Sequence, residues 1–386
     1  MRLIHTADWH LGRVFHGINL LEDQAYILQE FLKLVKESGA QAVLLAGDVF
    51  DRSLPPADAV ALLSEILTRL CLEIKVPTIL IAGNHDNPER LGFAQQVLAS
   101  RNLHMMGTLS EFCRPLPLHD RYGPVYFCPF PYAEPAFVRN FLRDEALQDH
   151  HQAMRGLTGH LWKQVPPQAR CIALAHAFVN GCQASDSERP LSAVGGAGMV
   201  EAECFQRFHY TALGHLHRPQ AAGSRKIRYA GSLLKYSFSE VEHRKAFTLL
   251  EIDAAGQLTH IEEVALVPRH DLRRVEGYLE DILKNAASDP SRNDFIQVIL
   301  HDRGPLLDPM SKLRQVYPHV LDLQRIETAR PTQYLGPGRD FSRLGDQELF
   351  GSFFAQVTGE ALSDRERTVL TRLLEGFGRR EREGSL

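Results

Sequence analysis

Apolar side chains at Ile27, Leu28, Phe31, Leu32, Leu34 and Val35 recur at helical spacing, which predicts a helix over Leu20 to Glu37 with Gly39 at its end. Around it lie short unbroken apolar runs that read as buried strands: Leu3-Ile4, Ala42 to Ala46 and Thr78 to Ala82. Pro55 and Pro56 open a second helix, Ala57 to Leu72, with Val60, Leu63, Ile66, Leu67 and Leu70 on its apolar face. Pro88 begins another, reaching to about Ser100. Strands alternating with helices, and apolar throughout, predict an α/β sheet covered by helices and parallel in this part.

From Leu103 to Tyr132 the pattern changes to short extended runs with Pro and Gly, followed by a helical stretch from Glu134 to Gln164. Cys171 to Ala175 and Tyr210 to Leu213 read as further buried strands, and Gly195 to Gly198 as a tight-turning loop. Ile227 to Tyr229, Gly231-Ser232 and Ala246 to Ile252 read as closing antiparallel strands. Near Pro268 a smaller α+β pattern begins: strands at Leu272 to Val275, Phe295 to Leu300 and Val320 to Ile326, helices at Tyr278 to Ala286 and Pro309 to Val316. Arg330 to Asp340 reads as a linker rich in Pro and Gly. Two amphipathic helices end the pattern. One carries Leu349, Phe350, Phe353, Phe354 and Val357; the other, behind a Ser363-x-x-Glu366 capping box, carries Val369, Leu370, Leu373, Leu374 and Phe377. The expected organisation is a main domain over 1–266, a small unit over 267–330, and a linker with a helical tail over 331–386.

Composition narrows this little: 386 residues, 44% hydrophobic and 23% charged, describe an ordinary globular protein. A net charge of −4 argues against coating nucleic acid by bulk electrostatics, while leaving local basic patches open. The six cysteines contain no C-x-x-C pair, and no apolar segment approaches a membrane span, so the expectation is a cytoplasmic protein with reduced thiols.

The chemistry lies where the strands end. Five times a short apolar run closes on a small residue and then releases polar groups: Asp8 and His10, Asp48, Asn84 and His85, His176, then His215 and His217. Strands of one open sheet deliver their C-terminal loops to one rim. Carboxylate, amide oxygen and imidazole without thiolate suit Mn²⁺, Fe²⁺ or Zn²⁺ better than an all-oxygen cage. Seven candidate ligands are too many for one tetrahedral ion, so two divalent ions sharing Asp48 are expected, with Gly47 allowing close approach of the backbone. Two ions roughly 3.5–4 Å apart activate water and clamp a phosphoryl group for in-line attack. His85, flanked by Asp86, is the candidate catalytic pair, and Asp51 and Asp86 fit a role in orienting imidazoles. Arg13, Arg52, Arg90, Arg218 and Lys235 are candidates for following a DNA backbone, or ordinary solvated surface. Tyr229 and Tyr236 either stack on a base or fill the sheet.

Taken together, Asp8-x-His10, Gly47-Asp48-x-x-Asp51, Gly83-Asn84-His85-Asp86, His176 and Gly214-His215-x-His217 resemble the calcineurin-like metallophosphoesterases. HTADWHLG, AGDVFDR, AGNHD, ALGHLHR and YAGSLLKYSFSE are similar to the SbcD nuclease subunits within that superfamily. The resemblance implies a β-sheet sandwich flanked by helices, a capping domain after Pro268 and a docking tail. It implies one ion held by Asp8, His10, Asp48 and His217, a second by Asp48, Asn84, His176 and His215, and a catalytic, non-ligating His85. It also implies Mn²⁺ as activator, and 3′-to-5′ double-strand exonuclease with single-strand and hairpin endonuclease activity. The implied partners are DNA ends, an SbcC-type coiled-coil ATPase on the tail, and a second copy through Ala57 to Leu72 and Pro88 to Ser100. Two other readings stay open: the same chemistry on a phosphoprotein or nucleotide, and a non-catalytic scaffold for the ATPase.

Overall fold

The computed structural model describes residues 1–110, 113–191, 198–326, 345–358 and 361–383. The expected turn at Gly195, Gly196 and Ala197 and the linker at 330–340 lie outside the described residues, as do the side chains of Val357 and Phe377. Two compact units are present: Met1–Arg274 with Asn293–Gln297, and Val275–Arg292 with Val298–Leu386.

Two six-stranded mixed sheets form the first unit. One runs in the order Leu258–Ala265, Ala246–Ile252, Arg2–Thr6, Ala42–Ala46, Thr78–Ile81, Leu103–Met106. Its last four strands are mutually parallel, the first three of them as the unbroken apolar runs predicted. The other runs Gln220–Ala221, Ile227–Tyr229, Tyr210–Gly214, Arg170–His176, Gly123–Phe130, Leu116–Asp120. The two face each other across one core, in which Leu3, Leu44, Ile79 and Ile81 of the first meet Phe127, Ile172, Leu174 and Tyr210 of the second. The second sheet's other face is covered by Pro135–Leu142 and His150–Trp162, through Val138, Met154, Leu157 and Leu161. A sheet face that is apolar on both sides must be covered on both, and this sandwich flanked by helices does so. His5 sits inside the sandwich, its ring nitrogens bonded to Tyr210 Oη at 3.0 Å and Leu213 O at 3.1 Å, and burial lowers its pKa to about 3.

Five expectations need correction. The Pro88 to Ser100 helix is two short pieces, Pro88–Leu91 and Gln95–Ala99, parted by Gly92 and by Ala94 at a φ of 56°. Gln95–Ala99 buries no residue, so no packing face holds one continuous helix together. The Glu134 to Gln164 stretch likewise splits, where Arg143 turns left-handed and Asp149 caps the next helix through Gln152 N. Ile227–Tyr229 pairs parallel with Tyr210–Gly214, Gly231-Ser232 is no strand, and the Leu258–Ala265 strand was not foreseen. Val60 is exposed, and Leu62 takes a place on the buried face of Ala57–Thr68.

The later elements fall close to expectation. Leu272–Gly277, Phe295–Leu300 and Val320–Arg325 form a three-stranded sheet with Phe295–Leu300 in the middle. In the second unit, the tail helices are Asp346–Thr358 and Asp364–Glu383. The capping box is formed reciprocally: Ser363 N donates to Glu366 Oε2 at 2.8 Å and Glu366 N to Ser363 Oγ at 3.4 Å. Leu370 is buried, whereas Leu349, Phe350, Phe353, Val369 and Leu373 are all exposed.

Candidate metal centre

Four of the site residues follow a strand end with the chain turned sharply. Asp8, His10, Asp48 and His215 all have positive φ, between 47° and 105°, a region that side chains other than Gly enter rarely and Asp and His more readily than most. The first two loops are zipped together by Asp8 N to Gly47 O (3.1 Å), His10 N to Asp48 O (3.0 Å) and Leu11 N to Val49 O (3.0 Å). Two glycines make the approach possible. A Cβ on Gly47 would collide with His176 Nδ1, and one on Gly83 with Asp48 Oδ1. The small residue before each ligand is thus a matter of space as well as of turning.

The expected ligands converge. Asp48 Oδ2 lies 3.6 Å from His10 Nε2 on one side and 3.6 Å from His176 Nε2 on the other. His10 Nε2 and His217 Nε2 face each other at 3.0 Å. Asn84 Oδ1 is 2.9 Å from His176 Nε2 and 3.3 Å from His215 Nδ1, and Asp8 Oδ1 lies 3.9 Å from His176 Nδ1. Asp8, His10, Asp48, His176, His215 and His217 are buried.

Left to themselves these groups are poorly satisfied. Asp8 Oδ2 and His10 Nδ1 are buried without a hydrogen-bond partner. Burial and the neighbouring Asp48 charge drive the Asp8 pKa well up, while burial and the adjacent imidazoles hold His10 and His215 well below the usual histidine range. Neutral imidazoles and crowded carboxylates with lone pairs aimed at common points are what divalent cations require. Asp8, Asp48 and His176 offer ligand atoms within 4.8 Å of one another, as do His10, Asp51 and His85. The donor set therefore fits divalent metal.

His85 stands at the same rim. Its Nδ1 lies 2.8 Å from Asp51 O and its Nε2 4.0 Å from Asp48 Oδ2. Asp86, expected to work with it, turns away. Its carboxylate accepts from Gly83 N (2.9 Å), Phe50 N (2.9 Å) and Val49 N (3.1 Å), tying two ligand loops together and orienting no imidazole. Asp51 does approach a ring, 3.7 Å from His10 Nδ1, and also holds Arg13 at 2.9 Å.

Of the basic candidates, Arg52 and Arg90 are exposed. Arg13 packs over Tyr236, Arg218 bonds Gln183, and Lys235 is paired with Asp271 at 3.0 Å. Tyr229 and Tyr236 are buried: Tyr229 Oη donates to Ala177 O and Tyr236 Oη to Trp9 O, so both brace loops. Missing from the sequence reading were Ser187, Glu188, Glu240 and Lys245, which surround His217 from behind.

Residues 1–219 match the family described as Calcineurin-like phosphoesterase, and residues 268–358 match the Type 5 capsule protein repressor C-terminal domain. A protein of Staphylococcus epidermidis, named as the D component of the nuclease SbcCD, is 32% identical over 97% of this chain and 98% of its own length. Its namesake from Staphylococcus saprophyticus is 33% identical over 97% of this chain and 99% of its own. The chain belongs to the calcineurin-like phosphoesterases, in their SbcD branch. Among solved structures, the protein TT1561 of Thermus thermophilus aligns at 19% identity and a TM-score of 0.38, over 68% of this chain and 98% of that one. Among the described residues of this SbcD-branch chain, no helix is long and apolar enough to cross a membrane.

Proposed function

We propose that this chain is the nuclease subunit of a DNA-repair complex and hydrolyses phosphodiester bonds at a two-cation centre, with Mn²⁺ as activator. The observation that carries the reading is Asp48 Oδ2 equidistant from two imidazole groups, 3.6 Å from His10 and 3.6 Å from His176. Asp8, His10, Asp48 and His217 would hold one ion, and Asp48, Asn84, His176 and His215 the other. Bound there, the cations supply Lewis acidity and neutralise charge on the phosphoryl oxygens. His85 is the residue we assign to the leaving oxygen. With Nδ1–H donated to the Asp51 carbonyl, an imidazolium His85 keeps its second proton on Nε2, free to pass to the departing alkoxide. Arg52 and Arg90 are exposed cations for the DNA backbone.

The names of the relatives support nuclease work within an SbcCD complex; double-strand exonuclease and hairpin endonuclease activity beside an SbcC-type ATPase is the finer reading we propose. The exposed apolar side chains of the tail helices are the surface proposed for that ATPase. A second apolar face supports self-association: Val60, Leu72 and Phe93 are exposed around a cavity of about 880 Å³ beside the Ala57–Thr68 helix.

The test is cleavage of linear duplex and hairpin DNA across divalent metals, with and without the ATPase, using His85→Ala as control. Mn²⁺-dependent cleavage lost in the variant, with metal still bound, is expected. Phosphate-monoester hydrolysis without DNA cleavage would refute the reading.

A further inference from the structure

Every polar atom of His217 except the one aimed at the centre is held. Its ring Nδ1 lies 2.6 Å from Ser187 Oγ, and that hydroxyl also bonds the Glu240 carboxylate. Its backbone N–H donates to Glu188 Oε1 at 2.8 Å, and its carbonyl accepts from the Lys245 ammonium at 2.7 Å. Lys245 further donates to Ser232 Oγ at 2.9 Å and pairs with Glu240 at 2.5 Å. Glu240 is fully buried and Lys245 nearly so. Removing such a pair from water is costly, and a hydrophobic pair of similar volume often does as well for stability alone.

The protons in this chain of contacts can be counted. Glu240, ionised beside Lys245, only accepts. The Ser187 hydroxyl has one proton, which goes to that carboxylate, so toward the imidazole Ser187 must accept. His217 Nδ1 therefore carries the ring proton, and Nε2 keeps its lone pair toward His10 Nε2, 3.0 Å away. We propose that Ser187, Glu240 and Lys245 form a buried relay that fixes the His217 tautomer and aims Nε2 at the centre, as positioning residues for the cation on the His10 side. The inference rests on the two-cation reading given above. The segment carrying Ser187 is itself anchored, by Gln183 N to Gln220 Oε1 (2.9 Å) and by Asp186 N to Ser239 Oγ (3.0 Å). A carboxylate acting on a ligating imidazole raises its basicity and fixes its orientation, and losing such support lowers metal affinity about 10–100-fold.

The test uses the full chain and two readouts: ring ¹⁵N shifts of His217 in metal-free protein, and calorimetric Mn²⁺ titration. Wild type is expected to show the Nδ1–H tautomer and two bound ions. Ser187→Ala should mix the tautomers and weaken one of the two ions about 10–100-fold, leaving the other unchanged, and Ser187→Thr should restore both. The paired variant Glu240→Gln with Lys245→Met, which strands no buried charge, should reproduce the Ser187→Ala result. An unchanged His217 tautomer in Ser187→Ala and in the pair, with both ions bound as in wild type, overturns the relay. If wild type binds no ion, the two-cation reading falls, and the tautomer measurement alone then decides the relay.

Discussion

His10 and His217 are backed by side chains; of the other two imidazoles, His176 is backed by the main chain, while His215 faces the Asn84 side chain. Behind the first pair stand Asp51, Ser187, Glu240 and Lys245, with the Tyr236 ring 5.5 Å from that of His10. Behind the second, His176 Nδ1 lies 3.0 Å from Ala46 O, and Asn84, only half-buried, faces both rings. A backbone carbonyl belongs to the sheet and cannot be lost by substitution. A side-chain relay can be tuned or broken. His176 is thus held by the fold itself, and the His10 and His217 pair by particular residues added to it.

The strongest test of this contrast removes what the halves share. Asp48→Asn should release both ions and lower Mn²⁺-dependent cleavage by on the order of a thousandfold, measured by metal titration and duplex degradation. Retention of both ions would end the shared-carboxylate account. Substituting one side at a time should divide the loss: His10→Ala removes the ion on its own side and leaves the His176 side loaded, and His215→Ala does the reverse.

Loosening the scaffold should weaken the fold and spare the ions. Arg170 begins the strand that ends at His176, and pairs with Asp120 at 2.6 Å. Asp120→Asn should cost about 3–5 kcal/mol in urea unfolding at pH 7 while two Mn²⁺ ions still bind. The Arg170 hydrogen bonds hold the Asp120 carboxyl well below the usual carboxylate range, against burial. That contribution is complete above the unfolded value near ~4 and fades as pH falls toward the depressed native value. The deficit of the variant should therefore shrink below about pH 4, and a deficit constant with pH would remove Asp120 as its source.

The smallest expected effect compares two tyrosines, Tyr236 beside His10 and Tyr132, whose ring lies 6.4 Å from that of His176. Tyr236→Phe loses the bond from Oη to Trp9 O (2.6 Å) beside His10 and should cost about 1 kcal/mol, with a weaker ion on that side. Tyr132→Phe loses only a bond to the exposed Glu134 and should stay within about 0.5 kcal/mol in thermal unfolding. Equal effects would erase the distinction between the halves at this level.

The same contrast governs what could be read from the chain. Asp8, His10, Asp48 and His176 stand out because strand, small residue and polar group lie within a few positions of each other. Ser187 and Lys245 carry no such local mark. Each meets His217 across 28 residues or more, and only Glu240, inside the SFSE stretch, had any signal. Asp86 was misjudged because neighbours in sequence need not point the same way. Its carboxylate serves Val49, Phe50 and Gly83 while the His85 ring faces Asp48. In the fold, the buried strands were legible from their unbroken apolar runs. The direction of Ile227–Tyr229 was not, since three residues hold no pattern that separates parallel from antiparallel pairing. The break at Gly92 to Ala94 was hidden because helical spacing continues through residues that bury nothing.

The left-handed backbone at Asp8, His10, Asp48 and His215 has a thermodynamic consequence. Each such residue is held at a cost of about 1–3 kcal/mol, on top of the repulsion between crowded carboxylates. A cation that binds only the assembled arrangement returns that energy to the native state, so resistance to unfolding becomes a function of free metal. Each independent ion should add about 2.7 kcal/mol at a hundredfold excess over its dissociation constant. With Asp48 shared by both ions, as proposed, the two increments should be coupled, and the melting temperature should follow the chelator concentration before any substrate is present.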